Sequence, residues 1–338
     1  MKAIQFLGMT AFMAAMLTGC SNDSDLAHSN FPDDNIIRVT AGVNGAVTRA
    51  ETETMGTELN NKFSLTVVNK DTENEYNYKY THENKIFQKI GTGTEWICND
   101  ILLWQDAETP VDVAALAPVT DDDMIFFGIL NYKNQFQTLQ YNITADQKTQ
   151  KPENDLLYYY KSNLVPGKEL KDGKLDIQFN HAFSMIDIIV TLGTEYSQQD
   201  NPISEVIVGG SKLWATIDVT NSEDKGVAYA STEDNPEADI TTIPVTFNKA
   251  TTDQENSKAV SSCILIPQKI DANKFKVTLK TSSKTYVWTS SEDITLETGH
   301  RYTLNLTMGK DKLTAQKGNI SAVSWTEGTA PGSSLGTK

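Results

Sequence analysis

Residues 175–179, Leu175-Asp176-Ile177-Gln178-Phe179, alternate apolar and polar side chains. Successive side chains of a β-strand point to opposite faces, so this alternation predicts a strand with one buried face. Residues 275–279 and 302–308 repeat the pattern, while segments with a helical period are scarce. Residues 186–192 and 263–266 are apolar on both faces and predict central strands. The chain is therefore predicted to be mainly β.

Length and charge limit the possible functions. The chain has 338 residues, with 29 Lys plus Arg against 44 Asp plus Glu, which gives a net charge of −15. Phosphate backbones and anionic membrane surfaces attract basic proteins, so this acidity excludes nucleic acid as a partner. Hydrophobic residues make up 39% of the chain, enough for a sizeable core.

The N-terminus has the pattern of an export signal. Residues 4–17 are almost wholly apolar and end in Leu17-Thr18-Gly19-Cys20, which predicts a signal peptide over residues 1–19. The small residues before Cys20 match a bacterial lipobox, so Cys20 is the expected site of acylation, including palmitate. The alternative is an ordinary signal peptide with an incidental cysteine. Residues 21–34 predict a polar, acidic tether, either a surface-export signal or a plain linker. Membrane attachment is expected only through the lipid on Cys20.

A polar stretch rich in Pro and Gly, residues 165–173, separates two apolar-rich blocks. Such stretches are typical of domain boundaries. We therefore expect an N-terminal domain over residues 50–166 and a C-terminal domain over residues 174–338.

Sequence motifs for catalysis, metals and cofactors are absent, and we expect none of these functions. The four histidines are isolated in sequence, and His181 is expected to be a hydrogen-bonded structural residue. Residues 121–123, three aspartates, favour a solvated turn over a cation site, and residues 158–160, three tyrosines, favour a core over a glycan platform. Cys98 and Cys263 are either two buried thiols or one disulfide, with separate thiols favoured.

The segment before and around Arg49 suggests a mechanism of proteolytic processing. Residues 35–43 alternate with Ile37, Val39 and further apolar residues on one face, and a polar stretch of small residues around Arg49 follows. Such accessible backbone is where proteases cut. Cleavage between Arg49 and Ala50 would remove residues 20–49, a lipidated propeptide that includes the first strand. A sheet that loses a strand can accept one from another chain. The alternative is an ordinary linker that contains one arginine.

The chain resembles the fimbrillin family, the subunits of type V pili and related surface lipoproteins. The resemblance extends over nearly the whole chain and consists of a series of short motifs in a fixed order. They are the lipobox of residues 17–20, Thr48-Arg49-Ala50, and residues 104–118, 155–158, 175–186, 264–268, 299–304 and 320–328.

The resemblance implies a fold and a mode of assembly. It implies two tandem β-sandwich domains of the transthyretin-like, Greek-key type, cleavage after an arginine by a trypsin-like protease, and polymerisation by donor-strand exchange. The donor would lie near the C-terminus. The candidate donor residues are Ile320, Ala322, Val323 and Trp325. The alternative for this segment is a final strand of its own domain.

The expected function is therefore that of a structural pilus subunit that contributes to adhesion. It would be an outer-membrane lipoprotein at the cell surface before processing and part of the fimbrium afterwards. Its expected partners are other pilus subunits, the processing protease, and a host or bacterial surface receptor. The alternative function is a non-polymerising surface lipoprotein that binds glycan or host protein.

Overall fold

The protein is built mainly of β-strands, which confirms the predicted fold class. The computed structural model describes residues 30–44, 59, 62–70, 77–89, 95–119, 129–149, 154–193, 202–221, 226–231, 235–242, 246–247 and 258–325. The helices in these ranges are a 3-10 turn at Asn77–Tyr80 and an α-helical turn at Pro166–Glu169.

The strands of the first half of the chain form one large sheet and contribute to another. They are β1 (Val39–Val43), β2 (Lys62–Asn69), β3 (His82–Lys89), β4 (Trp96–Cys98), β5 (Val111–Ala117), β6 (Leu139–Asn142), β7 (Leu157–Leu164) and β8 (Leu175–His181).

The large sheet has seven strands in the order β1-β8-β7-β5-β2-β3-β4. Its pairs are antiparallel except that β1 runs parallel to β8. The central strand β5 is buried on both faces because two cores meet it. Val113 and Ala115 enter the smaller core, while Ala114 and Leu116 enter the larger one.

The strands of the second half form the remaining sheets. They are β9 (Ser184–Leu192), β10 (Ile203–Lys212), β11 (Trp214–Ile217), β12 (Ala228–Ala230), β13 (Glu237–Thr241), β14 (Thr246–Phe247), β15 (Lys258–Leu265), β16 (Gln268–Ile270), β17 (Lys276–Thr281), β18 (Thr285–Thr289), β19 (Ile294–Leu296), β20 (His300–Met308) and β21 (Leu313–Ser324).

Two of these sheets supply most of the larger core. One has the order β14-β15-β9-β20-β21 and the other the order β13-β10-β17-β18. Ile188 and Leu304 from the first and Val206 and Val277 from the second are buried in that core, as in a β-sandwich. A three-stranded sheet, β12-β11-β6, and the pair β16-β19 complete the described sheets.

Two strands pair across the polar stretch at residues 165–173. Strand β8 follows this stretch, yet it lies in the large sheet beside β7 and β1. Strand β6 precedes it, yet β6 pairs with β11 of the second half. The two halves of the chain therefore share strands, and their division into domains at this point stays a prediction.

Candidate functional site

The alternation of residues 35–43 predicts a strand, and the structure places strand β1 there, at one end of the seven-stranded sheet. It pairs with β8 in parallel, from Val39 opposite Leu175 to Val43 opposite Phe179. Hydrogen bonds continue beyond the strand at both ends. The Leu175 amide donates to the Arg38 carbonyl at 2.8 Å, and the Asn44 amide donates to the Phe179 carbonyl at 2.8 Å.

The start of this segment is also held from its other side. Ile36 forms an antiparallel bridge with Leu103. The Ile37 amide donates to the Leu102 carbonyl at 2.9 Å, and the Trp104 amide donates to the Asn35 carbonyl at 2.9 Å. The segment therefore lies in a slot between β8 and residues 102–104.

The apolar face of the segment fills the smaller core. Ile37 and Val39 are 4% and 5% exposed, and Ala41 and Val43 pack against the same core while half-buried. Full burial of an aliphatic side chain contributes about 1.5–3 kcal/mol. Ile37 and Val39 together therefore contribute roughly 3–6 kcal/mol to the attachment of this segment.

Polar side chains link β1 to β8 on the opposite face. Thr40 Oγ1 donates to Asp176 Oδ1 at 3.0 Å, and Asn44 Nδ2 donates to Asn180 Oδ1 at 2.8 Å. Lys171 lies 2.6 Å from Asp176 Oδ2. The pKa of Asp176 is lowered chiefly by its hydrogen bond from Lys171 and further by Gln178 and Thr40, while partial burial opposes the shift.

Strand β8 depends on β1 for most of its pairing. Its residues 175–179 pair with β1. In the described part of the sheet, β7 pairs only with the last two residues of β8, through Tyr158 with Asn180 and Leu157 with His181. Loss of β1 would thus leave residues 175–179 without a ladder partner among the described strands.

The candidate donor residues lie in and just after β21. This strand lies at one end of the five-stranded sheet β14-β15-β9-β20-β21. Strand β21 pairs antiparallel with β20, with Ile320 opposite Leu304 and Ala322 opposite Tyr302. Val323 is opposite Arg301 and therefore on the other face. The four candidates do not share one face, and the chain holds this segment as the last strand of its own sheet.

Trp325 is buried against His181, the last residue of β8. The two rings are stacked with centroids 3.8 Å apart and planes 8° from parallel. His181 Nδ1 lies 3.0 Å from Asp155 Oδ1, and the Trp325 amide donates to the Gly299 carbonyl at 2.7 Å. Trp325 is 5% exposed, His181 3% and Asp155 6%. The structure thus places His181 in a buried hydrogen-bonded contact.

Other sequence expectations have different outcomes. Cys20, Arg49 and Ala50 lie outside the described residues, as do residues 121–123. Cys98 and Cys263 are free thiols; Cys98 packs against the smaller core, whereas Cys263 is inside the larger one. The three tyrosines at residues 158–160 are half-buried in β7. No helix in the described ranges could span a bilayer, and no group of metal-ligating side chains occurs in them.

Two parts of this arrangement were not predicted from the sequence: the pairing of β8 with the first strand, and the contact between Asp155 and His181. Asp155 precedes β7 in the sequence, and its carboxyl contacts His181 only because β7 and β8 pair. Strand alternation shows which face is buried but not which strand is the neighbour, so no local signal could reveal these contacts.

Comparisons with known proteins place the chain in a family. The family model described as fimbrillin-like matches residues 48–325. Two solved structures, each described as a "putative cell adhesion protein", share the fold. One, from Bacteroides ovatus, has a TM-score of 0.58 and 18% identity over 86% of this chain and 97% of its own. The other, from Bacteroides uniformis, has a TM-score of 0.54 and 15% identity over 87% and 99%.

A further similar structure has a lower score. The tip fimbrial protein Mfa3 from Porphyromonas gingivalis, with a C-terminal truncation, has a TM-score of 0.47 and 11% identity over 85% of this chain and 99% of its own. None of the curated proteins matches the sequence. Because the family model covers most of the chain, including strands β2 to β21, this protein belongs to the fimbrillin-like family.

Proposed function

We propose that this protein is a structural subunit of a cell-surface pilus that polymerises by donor-strand exchange and contributes to adhesion. Membership of the fimbrillin-like family supports a fimbrial subunit role, a cell-surface location, assembly with other subunits and a non-enzymatic function. Lipoprotein export, cleavage after Arg49 and strand exchange are the finer parts of the proposal.

The observation that carries the proposal is the pairing of β8. Residues 175–179 of β8 have β1 as their ladder partner among the described strands. Departure of β1 would expose that edge together with the apolar slot that Ile37 and Val39 fill. Unpaired backbone beside an apolar slot favours the addition of a strand from another chain.

The position of Arg38 supports cleavage at Arg49. Arg38 forms an ion pair with Asp34 at 2.6 Å, and its carbonyl accepts the Leu175 amide. A protease must pull a substrate backbone into an extended, unpaired form, so the Arg38 carbonyl is a poor target. Arg49 is the next basic residue along the chain. Cleavage there would separate residues 20–49, and the lipid on Cys20, from the chain that begins at Ala50.

Strand β21 is the proposed donor. It is an end strand of its sheet, so its release would not disturb an interior pair. A donor would exchange its ladder with β20 for one with β8 of the next subunit. Val323 and Trp325 would supply the apolar face that enters the slot, because an indole carries a large apolar area.

The fold is proposed to comprise two tandem β-sandwich domains, residues 50–166 and 174–338, of the transthyretin-like, Greek-key type. The precursor is proposed to be an outer-membrane lipoprotein, and the processed chain to join the fimbrium. A trypsin-like protease and a surface receptor are the proposed partners besides other subunits.

The mature N-terminus on cells tests this proposal. Mass spectrometry of the surface-exposed protein should find a chain that begins at Ala50. The Arg49→Ala variant should keep residues 20–49 and fail to polymerise, while the matched Arg38→Ala variant should be processed normally. A mature wild-type protein that retains a lipidated Cys20 would contradict the proposal and favour a non-polymerising surface lipoprotein.

A further inference from the structure

Strand β8 contacts both elements that must move in a strand exchange. The Asn44 amide, just after β1, donates to the carbonyl of Phe179. Two residues further along the same strand, His181 stacks against Trp325. The end of β1 and the ring that holds the C-terminal segment are thus separated by only two residues of one strand.

The pairing of β8 changes between these two contacts. Up to Phe179 its ladder partner is β1, while Asn180 and His181 pair with β7. The Asn44 side chain bonds to Asn180, so β1 also holds the point where the partner changes. When β1 leaves, the short pairing with β7 alone would fix the end of β8 within the described ladder.

The contact at His181 has little tolerance for movement. His181 lies between the Asp155 carboxylate at 3.0 Å and the indole of Trp325, and all three side chains are buried. Stacking and a hydrogen bond both weaken steeply when groups shift or tilt. A displaced backbone at His181 would therefore loosen the docking of Trp325.

We infer that β8 couples the two strands: loss of β1 weakens the docking of Trp325, so a subunit releases the end of its C-terminal strand more readily once its first strand has gone. His181 is the positioning residue of this coupling. The inference rests on the proposed function for its biological meaning, but the coupling itself is a property of the single chain. Since coupling is reciprocal, loss of the Trp325 contact must weaken β1 by the same factor.

An absence of coupling would also have a physical basis, because buried side chains of β8 hold this strand independently of β1. Leu175, Ile177 and Phe179 of β8 are 1%, 0% and 0% exposed in the smaller core. If these side chains alone hold β8 in place, His181 does not move when β1 leaves. The experiment must therefore separate a shift of His181 from a general loss of stability.

Amide hydrogen exchange in the non-lipidated full chain tests the coupling. Val39→Asp places a charge in the buried face of β1, and Val39→Ala is the milder variant, expected to retain the fold because it removes only two methyl groups. With either variant, exchange of residues 39–44 should accelerate, and exchange of residues 321–325 should accelerate in parallel, by about tenfold for the stronger one. Exchange in β17 and β18 should stay unchanged and reports the integrity of the fold.

The His181→Ala variant provides the double-mutant cycle. Residues 321–325 should already exchange fast in this variant, and adding Val39→Ala should accelerate them no further, because the link is gone. A purely structural role of His181 would give additive effects. Acceleration at residues 39–44 with unchanged exchange at residues 321–325 would overturn the inference.

Separate readouts distinguish the two proposals. Polymer ladders from Arg49-cleaved wild-type protein together with uncoupled exchange would overturn the coupling and leave the proposed function standing. Coupled exchange without polymer ladders would overturn the proposed function and leave the coupling standing.

Discussion

The indole of Trp325 lies flat against the imidazole of His181, with ring centroids 3.8 Å apart. This contact joins the end of the described chain to the end of β8, the strand that pairs with β1. The same residue that is proposed to anchor a donor strand is therefore buried in the subunit's own structure before any exchange.

Truncation of this anchor should be costly. We expect Trp325→Ala to lower the free energy of unfolding by about 3–5 kcal/mol, because a buried aromatic side chain is lost and a cavity remains. Trp214, which is 47% exposed, is the matched control, and Trp214→Ala should cost clearly less, about 1–2 kcal/mol, because half of its surface is already in water. Denaturant titration checks both, and equal effects would contradict the burial of Trp325.

A buried ion pair should also be sensitive to truncation. Arg301 Nε donates to Asp187 Oδ2 at 2.5 Å, and Ser262 Oγ donates to Asp187 Oδ1 at 2.6 Å. Asp187→Asn leaves the buried guanidinium uncompensated and should cost about 3–5 kcal/mol. Glu205→Gln, which removes a surface partner of Lys280, should cost about 1 kcal/mol or less. Thermal or chemical unfolding measures both, and a neutral Asp187→Asn would contradict the expected penalty.

The polar link between β1 and β8 should depend on pH. Lys171, Gln178 and Thr40 keep the pKa of Asp176 below its ordinary value. A lowered folded-state pKa stabilises the fold above the unfolded pKa of about 3.9, and this stability is lost as pH falls through the folded pKa.

The Asp176→Asn variant isolates this effect. At about pH 7 it should be less stable than the wild type by about 1 kcal/mol or less, because Lys171 is well exposed and solvent screens the pair. The difference should shrink towards zero as the pH falls to about 2. Unfolding midpoints measured across this range check the prediction. A difference that persists undiminished in acid would show that the carboxylate charge is not responsible.

Cys98 and Cys263 should differ in reactivity. Burial raises the pKa of both thiols, and Cys263 is fully buried while Cys98 is half-buried. Because the thiolate is the reactive form, native protein should react slowly with maleimide at Cys98, and Cys263 should react only after unfolding. Peptide mass mapping distinguishes the sites. Two thiols that stay unlabelled in denaturant without reductant would instead indicate a disulfide.

The strands could be predicted from sequence far better than their partners could. Alternation located β8 and the segment around β1 because each has one buried face. It could not reveal that residues 39–43 pair in parallel with residues 175–179, more than a hundred residues away. Pairing depends on the whole sheet, so β8 lies with the strands that precede the polar stretch rather than with those that follow it.

The candidate site was predictable only in part. The donor candidates lie in an end strand near the C-terminus. Val323 and Ala322 are adjacent and therefore lie on opposite faces, but their ladder partners, Arg301 and Tyr302, depend on register. The stacking of Trp325 on His181 is a tertiary contact between two strand ends. The residues next to Trp325 and His181 in sequence give no sign of this contact.

Polymer formation by the cleaved chain, in competition with a free copy of β1, tests the central claim most directly. Non-lipidated protein is cut after Arg49 and run on mild SDS gels, with and without a synthetic peptide of residues 35–44. The account predicts resistant ladders that the peptide suppresses, while the same peptide with Val39→Asp and Val43→Asp does not. Cleaved protein that stays monomeric, or ladders that are indifferent to the peptide, would contradict strand exchange at the β1 slot.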